Sequence, residues 1–202
     1  MEIETPRGPA EVELTRPKGK ASSLLALGHG AGGGVGAADL VAVRDAALAA
    51  GVAVAMVTQP YRVAGRRAPA PAPQLDEAWL AVLAHLVATS KIKAPLVVGG
   101  RSSGARVACR TAKESGAAGV VALAFPLHPP GRPEKSRDGE LATGVPTLVV
   151  NGDRDAFGVP AARPGVDLVV LPGQTHDLRK DPSAVANAVV DWLRSHEWAR
   201  SR

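Results

Sequence analysis

Leu96-Val97-Val98-Gly99-Gly100-Arg101-Ser102-Ser103-Gly104 is the stretch that decides the fold. Its apolar start closes a short buried run, Pro95 to Val98, and the residues after it, Ser103 to Ser115, have helical length and periodicity. Strand, turn and helix therefore meet at Gly100-x-Ser102-x-Gly104. A turn this sharp strains the serine backbone and presents the hydroxyl as a nucleophile. Glycines two residues to either side are needed because side chains there would collide with the neighbouring strand and helix. The competing reading is an ordinary helix-start turn in which Ser102 caps backbone N–H groups. The rest of the chain decides between them.

The same alternation runs outward in both directions. Leu24 to Leu27, Val52 to Val57, Val120 to Phe125, Thr147 to Val150 and Val166 to Leu171 read as buried strands, with Val12 to Leu14 as an added outer strand. Ala38 to Ala50, Leu75 to Thr89 and Pro182 to Trp198 read as helices, with Asp76 and Asp181 near plausible starts. Strands that are apolar throughout and separated by helices call for an α/β fold. It would have a mostly parallel sheet covered by helices on both faces. Two connections are longer than the rest: the Pro/Ala-rich 60–74 and residues 126–145. Long loops without helical pattern favour a functional role.

With 202 residues the chain suits one domain spanning 1–202, and it leaves no room for a separate cap domain. No apolar run is long enough to span a membrane, and MEIETPRGPAEVEL lacks the basic start and apolar core of a secretory signal. The lone Cys109 cannot form an intramolecular disulfide and lacks zinc-site spacing, so a reducing cytoplasm is expected and no metal is. The net charge is +5, but the arginines are interleaved with acidic residues, and aromatics at 3% leave little for base stacking. Nucleic acid is therefore not expected as a partner.

A serine needs a neighbouring base, and the base an orienting carboxylate. Asn151-Gly152-Asp153-Arg154-Asp155 follows one strand and Pro172-Gly173-Gln174-Thr175-His176-Asp177 follows the next. Ser102, Asp155 and His176 then all lie just beyond the C-terminal ends of parallel strands, where open α/β sheets bind ligands. Asp153 competes with Asp155 as the orienting acid, the other then capping the following turn. For His176 the alternative is a loop histidine bonded locally to Asp177.

The run Gly28-His29-Gly30-Ala31-Gly32-Gly33 follows the strand Leu24 to Leu27. It is able to aim the Ala31 N–H, beside that of Ser103, at a developing oxyanion. His29 is expected to shape this loop rather than act as a base. Gly28-x-Gly30-x-x-Gly33 also matches a dinucleotide fingerprint. That reading wants an acidic residue after the next strand, where Met56-Val57-Thr58-Gln59-Pro60 supplies none. No cofactor is therefore expected.

The segments GHGAGG, TQPYRVAGRRAPAP, GGRSSGARVA, FPLHPPGRPEK, NGDRDAFG and GQTHDL, spread over residues 28–178, resemble the small α/β-hydrolase-like family. That family is related to the dienelactone hydrolases and includes animal testis-expressed and chromatin-complex-subunit homologues. The resemblance implies an α/β-hydrolase fold and a serine nucleophile at Ser102, with Asp155 and His176 as its partners. The family spacing favours Asp155 over Asp153. Dienelactone hydrolases resembling this chain carry cysteine where Ser102 stands. Some relatives look like non-catalytic scaffolds.

Four further residues are candidates for substrate contact. His128, in the second long loop, either lines the pocket or lies exposed. Arg62 and Arg66, with Arg67, either select an anionic substrate group or form a solvated loop. The reading that follows is a serine hydrolase acting on a small-molecule ester or related acyl substrate. The alternative is a binding or scaffold protein of the same fold.

Overall fold

The computed structural model describes residues 1–201. An eight-stranded sheet has the order β1-β2-β4-β3-β5-β6-β7-β8, formed by Glu2–Ile3, Ala10–Thr15, Leu24–Gly28, Ala53–Thr58, Leu96–Arg101, Gly119–Leu123, Thr147–Gly152 and Val166–Leu171, numbered β1 to β8 in chain order. β1 and β2 are antiparallel to their neighbours and β3 to β8 are parallel, the mostly parallel sheet expected.

The helices are α1 (Ala38–Ala49), α2 (Pro60–Val63), α3 (Ala72–Thr89), α4 (Ser103–Thr111) and α5 (Pro182–Ser195). Alternation along buried strands sends residues to two separate cores. Ala26, Ala55 and Val98 pack with Trp79, Leu83 and Ala108 of α3 and α4. Leu27, Met56 and Val97 pack with Leu40, Val43, Val189 and Leu193 of α1 and α5. Burying both faces is what makes these strands continuous apolar runs.

β3 sits between β4 and β5. The chain leaves β3 toward one side of the sheet and, after β4, crosses back to continue on the other. The crevice between the carboxyl ends of β3 and β5 is thus a topological switch point, the place where such sheets bind ligands.

Several boundaries differ from expectation. β5 runs on through Gly99 and Gly100, which pair with Leu27 and Gly28. The glycines read as a turn, yet they are the residues that let two backbones approach. A Cβ on Gly100 would lie 2.6 Å from the Gly28 carbonyl oxygen. β6 stops at Leu123 because Ala124 turns with φ 45°. α4 and α5 end earlier than expected, and Trp198 folds back so that its N–H donates to the Leu193 carbonyl at 2.8 Å.

The loop expected at 60–74 contains α2 and the first turn of α3, since Pro73 is tolerated at a helix start. Asp76 therefore lies inside α3 and is not its cap. It pairs instead with Arg110 of α4, Oδ1 to Nη2 at 2.6 Å. Asp181 does cap α5, accepting from the Ala184 N–H at 3.0 Å.

Between β6 and β7 the chain makes one 3₁₀ helix, Asp138–Leu141, and no lid domain. Glu140 from that helix takes a two-pronged bond from Arg106 of α4, at 2.8 and 2.5 Å. The 3₁₀ helix is thereby tied to α4. No helix among the described residues is long and apolar enough to cross a membrane.

Candidate active site

Ser102 joins β5 to α4 with φ 53° and ψ −111°, a sparsely populated backbone conformation that costs on the order of 1–3 kcal/mol. The surroundings enforce it. The Ser102 N–H donates to the Leu123 carbonyl at 2.8 Å. Cβ atoms on Gly100 or Gly104 would collide with the backbone of Gly28, and on Gly104 also with that of His29. Ser102 occupies the N-cap of α4, but its side chain makes no cap bond.

Its Oγ instead lies 2.8 Å from Nε2 of His176, whose Nδ1 lies 2.8 Å from Oδ2 of Asp155. A carboxylate only accepts, so Nδ1 carries the proton and donates to Asp155, leaving Nε2 to accept from the serine hydroxyl. The Asp155 side chain is fully buried, and Oδ1 accepts from the Phe157 N–H at 2.8 Å. Asn151 Nδ2, 3.3 Å away, donates to Oδ2. Asp153 is exposed and accepts from the Gly173 N–H at 2.7 Å, on the other side of the turn. The structure therefore brings Ser102, His176 and Asp155 into one chain of bonds and leaves Asp153 outside it.

The loop after β3 lies beside this chain. A Cβ on Gly30 would sit 3.5 Å from the Ser102 Cβ. The Ser103 N–H is the first of α4 and so has no intrahelical partner. Among the described residues the Ala31 N–H makes no hydrogen bond. His29 is buried beneath the loop: Nδ1–H donates to the Gly30 carbonyl at 2.9 Å, and Nε2 accepts from the Gln59 N–H at 3.1 Å. Burial foremost, with the positive charge of Arg62 in support, pushes its pKa below the usual histidine range. It is a neutral strut between the ends of β3 and β4.

The residues considered for substrate contact are placed differently. His128 packs beneath the 155–158 turn, its Nε2 2.5 Å from where a Cβ on Gly158 would lie. Its Nδ1–H donates to the Pro129 carbonyl at 2.9 Å. It supports the loop that carries Asp155. Arg62 donates to the Arg66 carbonyl at 3.0 Å. Arg66 lines a groove of about 110 Å³ together with Arg7, Gln59, Tyr61 and Leu75, beside α2. Among the described residues no hydrogen bond or ion pair joins either arginine to Ser102 or His176.

Two contributors lay beyond sequence reasoning. Phe157 stacks on the His176 ring, and Asn151 joins Asp155 to the carbonyls of Phe125 and Gly158 at 3.1 and 3.2 Å. Asn151, polar at the end of an apolar strand, was the available signal. Cys109 is buried, its thiol pushed up to about 12 by desolvation.

Residues 21–182 match the family described as the alpha/beta hydrolase domain, and the chain belongs to that family. No curated protein matches it by sequence. Among solved structures, an alpha-beta serine hydrolase homologue from Coxiella burnetii is 21% identical, with a TM-score of 0.77 and 96% of each chain covered. A serine hydrolase without lid from Xanthomonas campestris is 18% identical, with a TM-score of 0.80 over 100% of this chain and 95% of that one. A dienelactone hydrolase from Anabaena variabilis is 18% identical, with a TM-score of 0.75 over 96% and 95%. These likenesses establish the fold.

Proposed function

We propose that this chain is a serine hydrolase that cleaves a small-molecule ester or related acyl substrate through an acyl-enzyme. The observation that carries the reading is the unbroken relay from Ser102 Oγ through His176 to buried Asp155, with both links at 2.8 Å.

In this mechanism Nε2 of His176 takes the Ser102 proton as Oγ attacks the acyl carbon. Asp155 holds the ring in the Nδ1–H tautomer and offsets the imidazolium charge. The N–H groups of Ala31 and Ser103 receive the oxyanion, each such donor contributing about 2.7–4 kcal/mol in the transition state. The imidazolium then protonates the leaving alkoxide. Water, deprotonated by the same nitrogen, attacks the acyl-serine and releases the acid, and the proton returns to Oγ. These steps use only side chains, backbone amides and water. With no lid domain between β6 and β7, the reading implies an open site and an accessible acyl group.

A fluorophosphonate probe and an activated ester such as p-nitrophenyl acetate test the proposal. The expected result is stoichiometric labelling at Ser102, with both labelling and turnover abolished in Ser102→Ala. Folded wild-type protein that neither labels nor hydrolyses would identify a scaffold of this fold instead.

A further inference from the structure

Arg101, the residue just before the serine, carries a side chain that the steps above do not use. It is 17% exposed and meets three segments. Its Nε lies 3.2 Å from Oδ2 of Asp39, a fully buried carboxylate in the first turn of α1. Its Nη2 donates at 3.2 Å to the backbone carbonyl of His176 itself. Its Nη1 lies 3.1 Å from where a Cβ on Gly30 would be, against the loop that holds Ala31.

We propose that Arg101, with Asp39 as its counter-charge, is a positioning residue that locks the loop bearing His176 to the loop bearing the Ala31 N–H. The inference rests on the hydrolase reading for its functional meaning, but the lock itself is a property of the fold.

A role in stability alone explains the pair poorly. Buried ion pairs contribute little over apolar packing unless their geometry is excellent. Here Arg101 Nε makes no directed hydrogen bond to Asp39, so the 3.2 Å approach compensates charge only. Burial pushes the Asp39 carboxyl above its usual range, with Arg101 opposing. What the guanidinium does supply is a rigid planar fork whose nitrogens face three different groups at once. A lysine would offer the charge at a single point.

The position in sequence fits the task. Arg101 is fixed by the same turn that fixes Ser102, so whatever it holds is referred directly to the nucleophile. Each loop it touches is glycine-rich or exposed and needs an external tether, because a displacement of about 1 Å at such a site costs on the order of 100-fold in rate.

Two variants test the lock. Arg101→Lys keeps the charge and removes the fork. Asp39→Asn with Arg101→Met removes both charges, so that no isolated buried ion is left to unfold the protein. In each, circular dichroism verifies folding, the downfield proton resonance of His176 Nδ1–H reports the geometry of the relay, and fluorophosphonate labelling reports the nucleophile. The expected result is a sharp Nδ1–H signal in wild type that is lost to exchange in both folded variants. Labelling should be at least tenfold slower and KM for the ester unchanged. Retention of the signal and of labelling within twofold in either folded variant overturns the proposal. If wild type itself does not label, the hydrolase reading fails, and the Nδ1–H resonance alone still decides the lock. Its persistence in either folded variant overturns it.

Discussion

Phe157 lies face to face with the imidazole of His176, ring centroids 4.1 Å apart and planes inclined by 27°, while its own N–H donates to Asp155 Oδ1 at 2.8 Å. One residue thus braces both members of the pair. Aromatic stacking contributes about 0.5–1.5 kcal/mol beyond area burial. Phe157→Ala is expected to lower kcat on p-nitrophenyl acetate roughly three- to tenfold, by letting the ring turn. Phe157→Tyr should keep the stack and the rate. Steady-state kinetics of the two variants decide it, and equal loss in both would show that the ring's face has no part in orienting His176.

The two aspartates of Asn151-Gly152-Asp153-Arg154-Asp155 are separable by substitution. Asp155→Asn preserves the shape of the site but replaces the acceptor that selects the Nδ1–H tautomer, and about a 10⁴-fold fall in kcat is expected. Asp153→Asn weakens only the bond from the Gly173 N–H, so activity should stay within a fewfold of wild type. Comparable losses in both would mean that the turn, not the carboxylate, matters.

Gly104 is fixed by space rather than by dihedral angle. A Cβ there would lie 2.5 Å from the Gly28 oxygen and 2.6 Å from its carbonyl carbon, backbone atoms of a central strand that cannot give way. Overpacking of this kind costs about 1–3 kcal/mol, so Gly104→Ala should lower Tm by several degrees. Spreading β3 from α4 also moves the Ser103 and Ala31 amides apart, so fluorophosphonate labelling should slow more than the loss of stability explains. A Tm and labelling rate equal to wild type would contradict the packing described here.

Much of this architecture was legible from the chain, and the failures have identifiable causes. Thr147–Gly152 and Val166–Leu171 were readable because burial on both faces demands apolar runs, and their ends carry Asp155 and His176. β5 was read short because Gly99 and Gly100 signal a turn locally, while their actual role is a close approach to β3, about 70 residues earlier. β1, two residues long, has too little pattern to see and exists through its pairing with β2. Asp76 looked like a cap because capping is a local rule, whereas Arg110, its partner, comes from another helix. The same limit hid Phe157 and Arg101. Order along the chain shows which groups stand at strand ends; it does not show which side chains lean on them.

His29 links stability to pH. The ring must stay neutral to accept from the Gln59 N–H, and burial, assisted by Arg62 and opposed by the Gly30 carbonyl, holds its folded pKa below the usual value. The unfolded chain takes up a proton near pH 6.5 and the folded chain resists it. The contribution of His29 is therefore complete above about pH 6.5 and lost as pH falls below it, by up to about 1.4 kcal/mol per pH unit until the folded ring titrates. Asp39 acts in the opposite sense: its raised carboxyl pKa means that ionisation costs stability, and part of that cost is recovered as pH falls through the folded value toward the ordinary carboxylate range. The comparison must therefore be between wild type and His29→Gln, in which the Asp39 contribution cancels. Whatever the offset at pH 8, urea unfolding should show the stability of wild type relative to His29→Gln falling between pH 6.5 and 5, because glutamine has no proton to gain. Parallel curves over that interval would mean that the folded ring titrates as the unfolded one does, and the neutral strut between β3 and β4 would have to be abandoned.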